Sequence, residues 1–160
     1  MDDKIKKQVL RRLDYGLYIA TAASGQHTVA TTVTWVSQVS FEPPLIMVAM
    51  RNEGHTLEVC RKAGAFALHV IGEHQKDMAA AFFKAPVVEG NTLSGYVFEP
   101  GDITRAPILE DPPAWIEAMV EDSFPVGDHT IIIGRVVGAG LRDPDVSPLT
   151  LSDTSWHYGG

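Results

Sequence analysis

Val29-Ala30-Thr31-Thr32-Val33-Thr34-Trp35-Val36-Ser37, followed by Phe41-Glu42-Pro43-Pro44 and then Leu45-Ile46-Met47-Val48-Ala49-Met50, is the stretch that decides the fold class. Its first part is dominated by β-branched and aromatic residues and reads as a strand over Val29 to Val36. The Glu-Pro-Pro segment breaks regular structure. The run from Leu45 to Met50 is apolar without alternation, so it reads as a strand covered on both faces. Upstream, Tyr18-Ile19-Ala20-Thr21 is a second strand, joined to the first through the turn-prone Ser24-Gly25-Gln26. Downstream, Arg51-Asn52-Glu53-Gly54 is a turn, and a helix runs from His55 or Thr56 to about Lys62, stopped by Gly64.

Further out the same reading continues. Ala65 to Ile71 is a strand, and Glu73 to Phe83 a helix with Met78 and Phe82 inward and Phe83 as a further inward candidate. Residues 86–113 are rich in Pro, Gly and Asp and read as a long excursion with little regular structure; such a stretch tends to be functional. Trp115 to Val120 alternates, with Ile116, Ala118 and Val120 on one face, and Thr130 to Leu141 is a long strand whose Gly134, Gly138 and Gly140 suit bulges or coiling. Near the N-terminus, Ile5, Val9 and Leu13 at four-residue spacing give an amphipathic helix within residues 1–13, with Asp2 or Asp3 as its cap. The tail, residues 144–160, is polar until Trp156-His157-Tyr158. Six or seven strands with three short helices and no βαβ rhythm make this a mainly β protein, best built as a closed or nearly closed antiparallel barrel. With 160 residues and no linker, residues 1–160 read as one domain.

Composition narrows the function. The net charge is −7, and all of the basic excess lies in residues 1–13, which carry five Lys/Arg against two Asp. An acidic body repels phosphate backbones, which argues against a nucleic-acid partner, and the basic N-terminus has too little bulky apolar backing for a membrane anchor. No run of eighteen apolar residues indicates a transmembrane helix, and the N-terminus is no secretory signal, so the expected location is the cytoplasm. Cys60, the single cysteine, forms no internal disulfide and reads as a small buried hydrophobe. The six histidines show no metal-ligand spacing, so no metal site is expected.

No GxGxxG, GxxxxGK[ST], HExxH or GxSxG motif is present. Two segments could still cradle a phosphate. Thr31 to Ser37 packs four hydroxyls and an indole into seven residues, and Asn52-Glu53-Gly54-His55-Thr56 leads a Gly turn into a helix, whose N-terminal N–H groups attract an anion with Arg51 adding a full charge. Each also has a plainer reading: an edge strand of good β-propensity, and an N-cap at Thr56. Asp128-His129 stands at a strand entrance, where a histidine can border a cleft.

Taken in order, Tyr15-Gly16-Leu17-Tyr18-Ile19-Ala20-Thr21, the Thr31 to Ser37 strand, Val39-Ser40-Phe41-Glu42-Pro43-Pro44-Leu45, Gly54-His55-Thr56 and Gly127-Asp128-His129-Thr130 resemble the flavin reductase-like family, over roughly residues 8–158. The resemblance implies a Greek-key split β-barrel binding FMN non-covalently at a homodimer interface. It implies cofactor contacts from Thr31, Thr32, Val33, Thr34, Trp35, Val36 and Ser37 along the ring, and from Arg51, His55 and Thr56 at the phosphate. His129 matches a histidine beside the nicotinamide and is the one candidate for a direct catalytic role, with NADH or NADPH as co-substrate. Two features depart from the family: Glu53 in the phosphate turn, and the Trp156-His157-Tyr158 ending, which is similar to the flavoredoxin-like branch. The function implied is reduction of FMN by a nicotinamide. The alternatives are an electron-transfer flavoprotein served by a redox partner protein, docking through the acidic residues 86–128, and an FMN-binding module without turnover.

Overall fold

A computed structural model describes residues 1–160. In chain order the elements are α1 (Asp3–Leu10), β1 (Tyr18–Ser24), β2 (His27–Val33), β3 (Val36–Ser40), β4 (Leu45–Arg51), α2 (His55–Ala63), β5 (Ala65–Val70), α3 (Lys76–Ala81), β6 (Val88–Glu89), β7 (Thr92–Leu93), β8 (Tyr96–Pro100), β9 (Pro107–Leu109), β10 (Ala114–Val126) and β11 (His129–Leu141). Seven strands form one antiparallel sheet in the order β2-β1-β5-β10-β11-β4-β3.

The strand order forces the shape. β2 and β3 lie at opposite edges of the sheet yet are joined only by Thr34 and Trp35. A flat seven-stranded sheet would hold its edges about 29 Å apart, far beyond the reach of so short a connector. The sheet therefore coils until β2 comes against β4, and past the crossover the Ala49 N–H donates to the Trp35 carbonyl at 2.9 Å, continuing the β3–β4 pairing. No ladder joins β2 to β3 or β4, so the closed barrel carries a seam. The expected strand from Val29 to Val36 is corrected accordingly: it breaks after Val33, because the backbone must leave one edge to reach the other.

Inside the barrel, Ala20, Val48, Phe66, Leu68 and Ile132 pack with Leu57, Val59 and Cys60 of α2. Gly134 is required there, since a Cβ would stand 2.7 Å from the Phe66 ring. Gly64, at φ 64°, ends α2 in the left-handed conformation.

A second core, containing Leu17, Ile19, Ile71, Met78, Phe82 and Leu109, lies outside β1 and β5. It is covered by α3 and by a four-stranded sheet, β6-β7-β8-β9. The excursion over 86–113 is thus more ordered than its composition suggests. His69 and Thr21 tie the layers together. The His69 Nδ1–H donates to the Ile19 carbonyl at 3.0 Å and its Nε2 accepts from the Leu109 N–H at 3.0 Å, while the Thr21 hydroxyl donates to the Pro107 carbonyl at 2.6 Å. Burial pushes the His69 imidazole down to about 4.

Three helix expectations are also corrected. α1 ends at Leu10 and buries none of its residues, so Ile5 and Val9 are exposed. α3 begins only at Lys76, because the Gln75 side chain accepts from the Gly72 N–H and holds a turn there. Phe83 faces outward onto Trp156, edge to face at 4.7 Å. No helix is long and apolar enough to cross a membrane.

Candidate functional site

The seam opens into a cavity of about 580 Å³, within the range of small-molecule and cofactor sites. One wall is the end of β2 with the crossover, Thr31 to Thr34; another is the end of β4, Ala49 to Arg51. The turn and start of α2 contribute Glu53, Gly54, Thr56 and Leu57, and Leu17, Phe83, Leu151, Trp156, His157 and Tyr158 complete the lining. The mixture of apolar walls and few polar groups suits a planar ring with a polar edge.

Two features of the walls lack a protein partner. The Thr34 Oγ1 is buried without a hydrogen bond, and no side chain caps α2, whose Gly54, Thr56 and Leu57 border the cavity. The Thr34 and Trp35 backbone N–H groups likewise donate to no protein acceptor. Gly54, not Thr56, holds the cap position, which frees the Thr56 hydroxyl from that duty. Arg51 adds positive charge, and Glu53 stands 3.9 Å from it with its own side chain in solvent. An anion at the helix start and a ring at the crossover would meet these groups.

Beside the cavity, the Asp128 Oδ1 lies 2.5 Å from His129 Nδ1, and the Tyr158 hydroxyl lies 2.7 Å from His129 Nε2. The hydrogen bond to His129 holds the Asp128 carboxyl below the usual carboxylate range. Burial raises the Tyr158 phenol, with the nearby Arg51 charge opposing and Asp128 adding to the rise. Trp35 packs against both rings, at 4.6 Å from His129 and 5.1 Å from Tyr158. Its indole Nε1 is buried without a partner.

The tail that carries Tyr158 is held at its root. The Leu17 N–H donates to the Leu149 carbonyl, the Leu151 N–H to the Tyr15 carbonyl, and Asp14 accepts from Ser152. Further along, Trp156 sits on Phe83 and under the Lys76 ammonium, 5.1 Å from its ring centre.

Thr31, Thr32, Val33, Thr34, Arg51 and Thr56, expected from the sequence, come together in one cavity, although the Thr32 hydroxyl is already committed to the Ala79 carbonyl at 2.7 Å. The others do not line it. Trp35 stands behind Tyr158, Val36 opens β3, and the exposed Ser37 hydroxyl donates to the Gln38 carbonyl. His55 points to solvent near Glu58, and His129 is sealed beneath Trp35 and Tyr158. The tail and Phe83 were missed as lining. The aromatic triplet after a polar tail was the signal for the first; Phe83 gave none.

Residues 10–160 match the family described as flavin reductase like domain. The NADH:FMN oxidoreductase of Rhodococcus qingshengii is 31% identical over 88% of this chain and 72% of its own length. The NADH-dependent flavin reductase of Pseudomonas fluorescens is 28% identical over 99% of this chain and 91% of its own. Among solved structures, the styrene monooxygenase flavin reductase of Pseudomonas putida S12 superposes with a TM-score of 0.75 at 27% identity, covering 91% of this chain and 90% of that one.

Proposed function

Since the chain belongs to the flavin reductase-like family, we propose that the seam cavity is where it binds FMN and carries out the reduction of flavin by a nicotinamide. It is an oxidoreductase, with FMN as flavin and NADH or NADPH as co-substrate. FMN supplies the electron-accepting ring when bound, and the protein supplies binding, orientation and hydrogen bonds. The first turn of α2, Thr56 and Arg51 hold the phosphate. Thr31 to Thr34 flank the ring, with the Thr34 hydroxyl and the free N–H groups of the crossover turned to its polar edge.

The observation that carries this reading is the pairing of an uncapped helix start and a buried, unpartnered Thr34 hydroxyl on one cavity. Without a ligand the helix start is left to water and the Thr34 hydroxyl has no protein partner.

Residues 1–160 act as one flavin-binding domain. Phe41 and Val39, exposed on β3 and its turn, and Phe124 and Val126, on the β10–β11 hairpin, give a homodimer apolar surface to bury. The single buried Cys60 suits a reducing compartment, the cytoplasm. The acidic residues of 86–128 offer a docking face to a basic redox partner that collects the electrons.

The test is spectral. Purified protein soaked in FMN and desalted, or titrated with FMN by fluorescence, should show saturable binding. NADH or NADPH under air should then be consumed with excess FMN. Protein that neither binds FMN nor supports nicotinamide oxidation overturns the assignment, whereas binding with no turnover favours the electron-carrier reading.

A further inference from the structure

Resting on the FMN reading of the seam cavity, we propose that Tyr158 is the residue through which the Asp128–His129 pair acts on the cavity's occupant. Its hydroxyl touches the bound ring system, and His129 is a positioning residue that sets the polarity of that hydroxyl.

The geometry leaves His129 no direct contact. Its side chain is 7% exposed, it does not line the cavity, and both ring nitrogens are committed, Nδ1 to Asp128 and Nε2 to Tyr158. An imidazole so bonded has no third polar site to offer. Tyr158 does line the cavity, and its ring is fixed edge-on to Trp35, with Gly159 closing over the same indole.

The donor and acceptor roles follow from the proton count. With His129 neutral, the Asp128 carboxylate claims the Nδ1–H, so Nε2 is an acceptor and Tyr158 donates to it. The phenol oxygen then presents lone pairs to the cavity and accepts from an N–H or O–H of the occupant. With His129 protonated, both ring nitrogens donate. The Tyr158 oxygen accepts from Nε2, and its own O–H turns to the cavity as a donor. One protonation behind the wall thus reverses the hydrogen-bond polarity of the wall. The charged and titratable groups around the pair are Asp128 in the turn before β11, Arg51 at the end of β4, and Tyr15 on another side of Trp35.

The experiment compares wild type with Tyr158→Phe, using FMN and, separately, NAD+ as unreactive probes of the cavity, from about pH 5 to about pH 8. Imidazole 15N shifts report His129 in the same samples. In wild type at least one probe should change its dissociation constant over that range. Tyr158→Phe should weaken that probe about 3- to 10-fold, as expected for one neutral hydrogen bond, flatten its pH dependence and shift the His129 signals. His129→Gln should flatten the same profile with Tyr158 in place, which guards against a folding defect in the first variant. Unchanged affinity and pH dependence for both probes in Tyr158→Phe overturns the proposal, even if the His129 signals move, since Tyr158 would then be structural only. A wild type that binds neither probe overturns the cavity reading and this proposal with it, a result distinct from equal binding by the two proteins.

Discussion

A buried hydroxyl with no partner costs a folded protein about 1–3 kcal/mol, and Thr34 carries that cost in the absence of a ligand. Thr34→Val should therefore leave the ligand-free protein as stable or about 1 kcal/mol more stable in thermal or denaturant unfolding, while weakening FMN binding. A variant that loses stability and keeps its affinity would show that the hydroxyl serves the fold. At the helix start the expectation runs one way. Thr56→Ala should raise the FMN dissociation constant about 3- to 10-fold, as should Arg51→Ala, whose largely exposed guanidinium limits its charge to about 1 kcal/mol. If fluorescence titration finds both variants at wild-type affinity, the phosphate lies elsewhere. Of these residues, Thr34 and Thr56 were legible in the sequence as hydroxyls in plausible places. What the sequence could not give is that Thr32 is spent on Ala79 and Thr34 is not, because that depends on α3 arriving from 47 residues away.

Elements were legible in proportion to their length. β4, α2 and β5 stand close to where their apolar patterns put them, and Gly64 ends α2 as a left-handed cap. β6 to β9 are two to five residues long, too short for any period to declare itself, and their pairing supplies the order that composition hid. The break between β2 and β3 was hidden for another reason: β-branched residues continue straight through it, and only the closing of the sheet forces the chain to turn. In β11, Gly134 was readable as a coiling position, but not as the seat of the Phe66 ring. Gly134→Ala should cost about 1–3 kcal/mol of stability by overpacking, measured by chemical denaturation. A smaller loss would mean that Phe66 has room to move.

For the whole molecule the telling residue is His69, which fastens β5 to β1 on one side and to β9 of the second sheet on the other. Its imidazole falls from an ordinary 6.5 to about 4 on folding, so between those values the unfolded chain binds more protons than the folded one. The stabilisation from keeping it neutral is complete above about pH 6.5, declines as pH falls, and is fully lost by about pH 4, a change on the order of 3 kcal/mol. His69→Gln should flatten that part of the stability–pH curve, as followed by urea unfolding; an unaltered slope would assign the acid sensitivity to other groups. The barrel class was readable from strand content and the missing βαβ rhythm, whereas the two-layer arrangement that His69 secures was not, since its partners come from far along the chain.

The two-residue crossover at Thr34 and Trp35 has one more consequence. Thr34 borders the cavity while the next carbonyl, that of Trp35, holds Ala49 at the end of the β3–β4 pairing, so FMN bound at Thr34 would favour the ordered crossover, as a ligand favours the state it binds. In amide hydrogen exchange the Ala49 N–H, which bonds the Trp35 carbonyl beside the seam, should report opening of the crossover. Saturation with FMN should slow its exchange more than that of the β10–β11 ladder on the far side, making that single amide a gauge of cofactor loading.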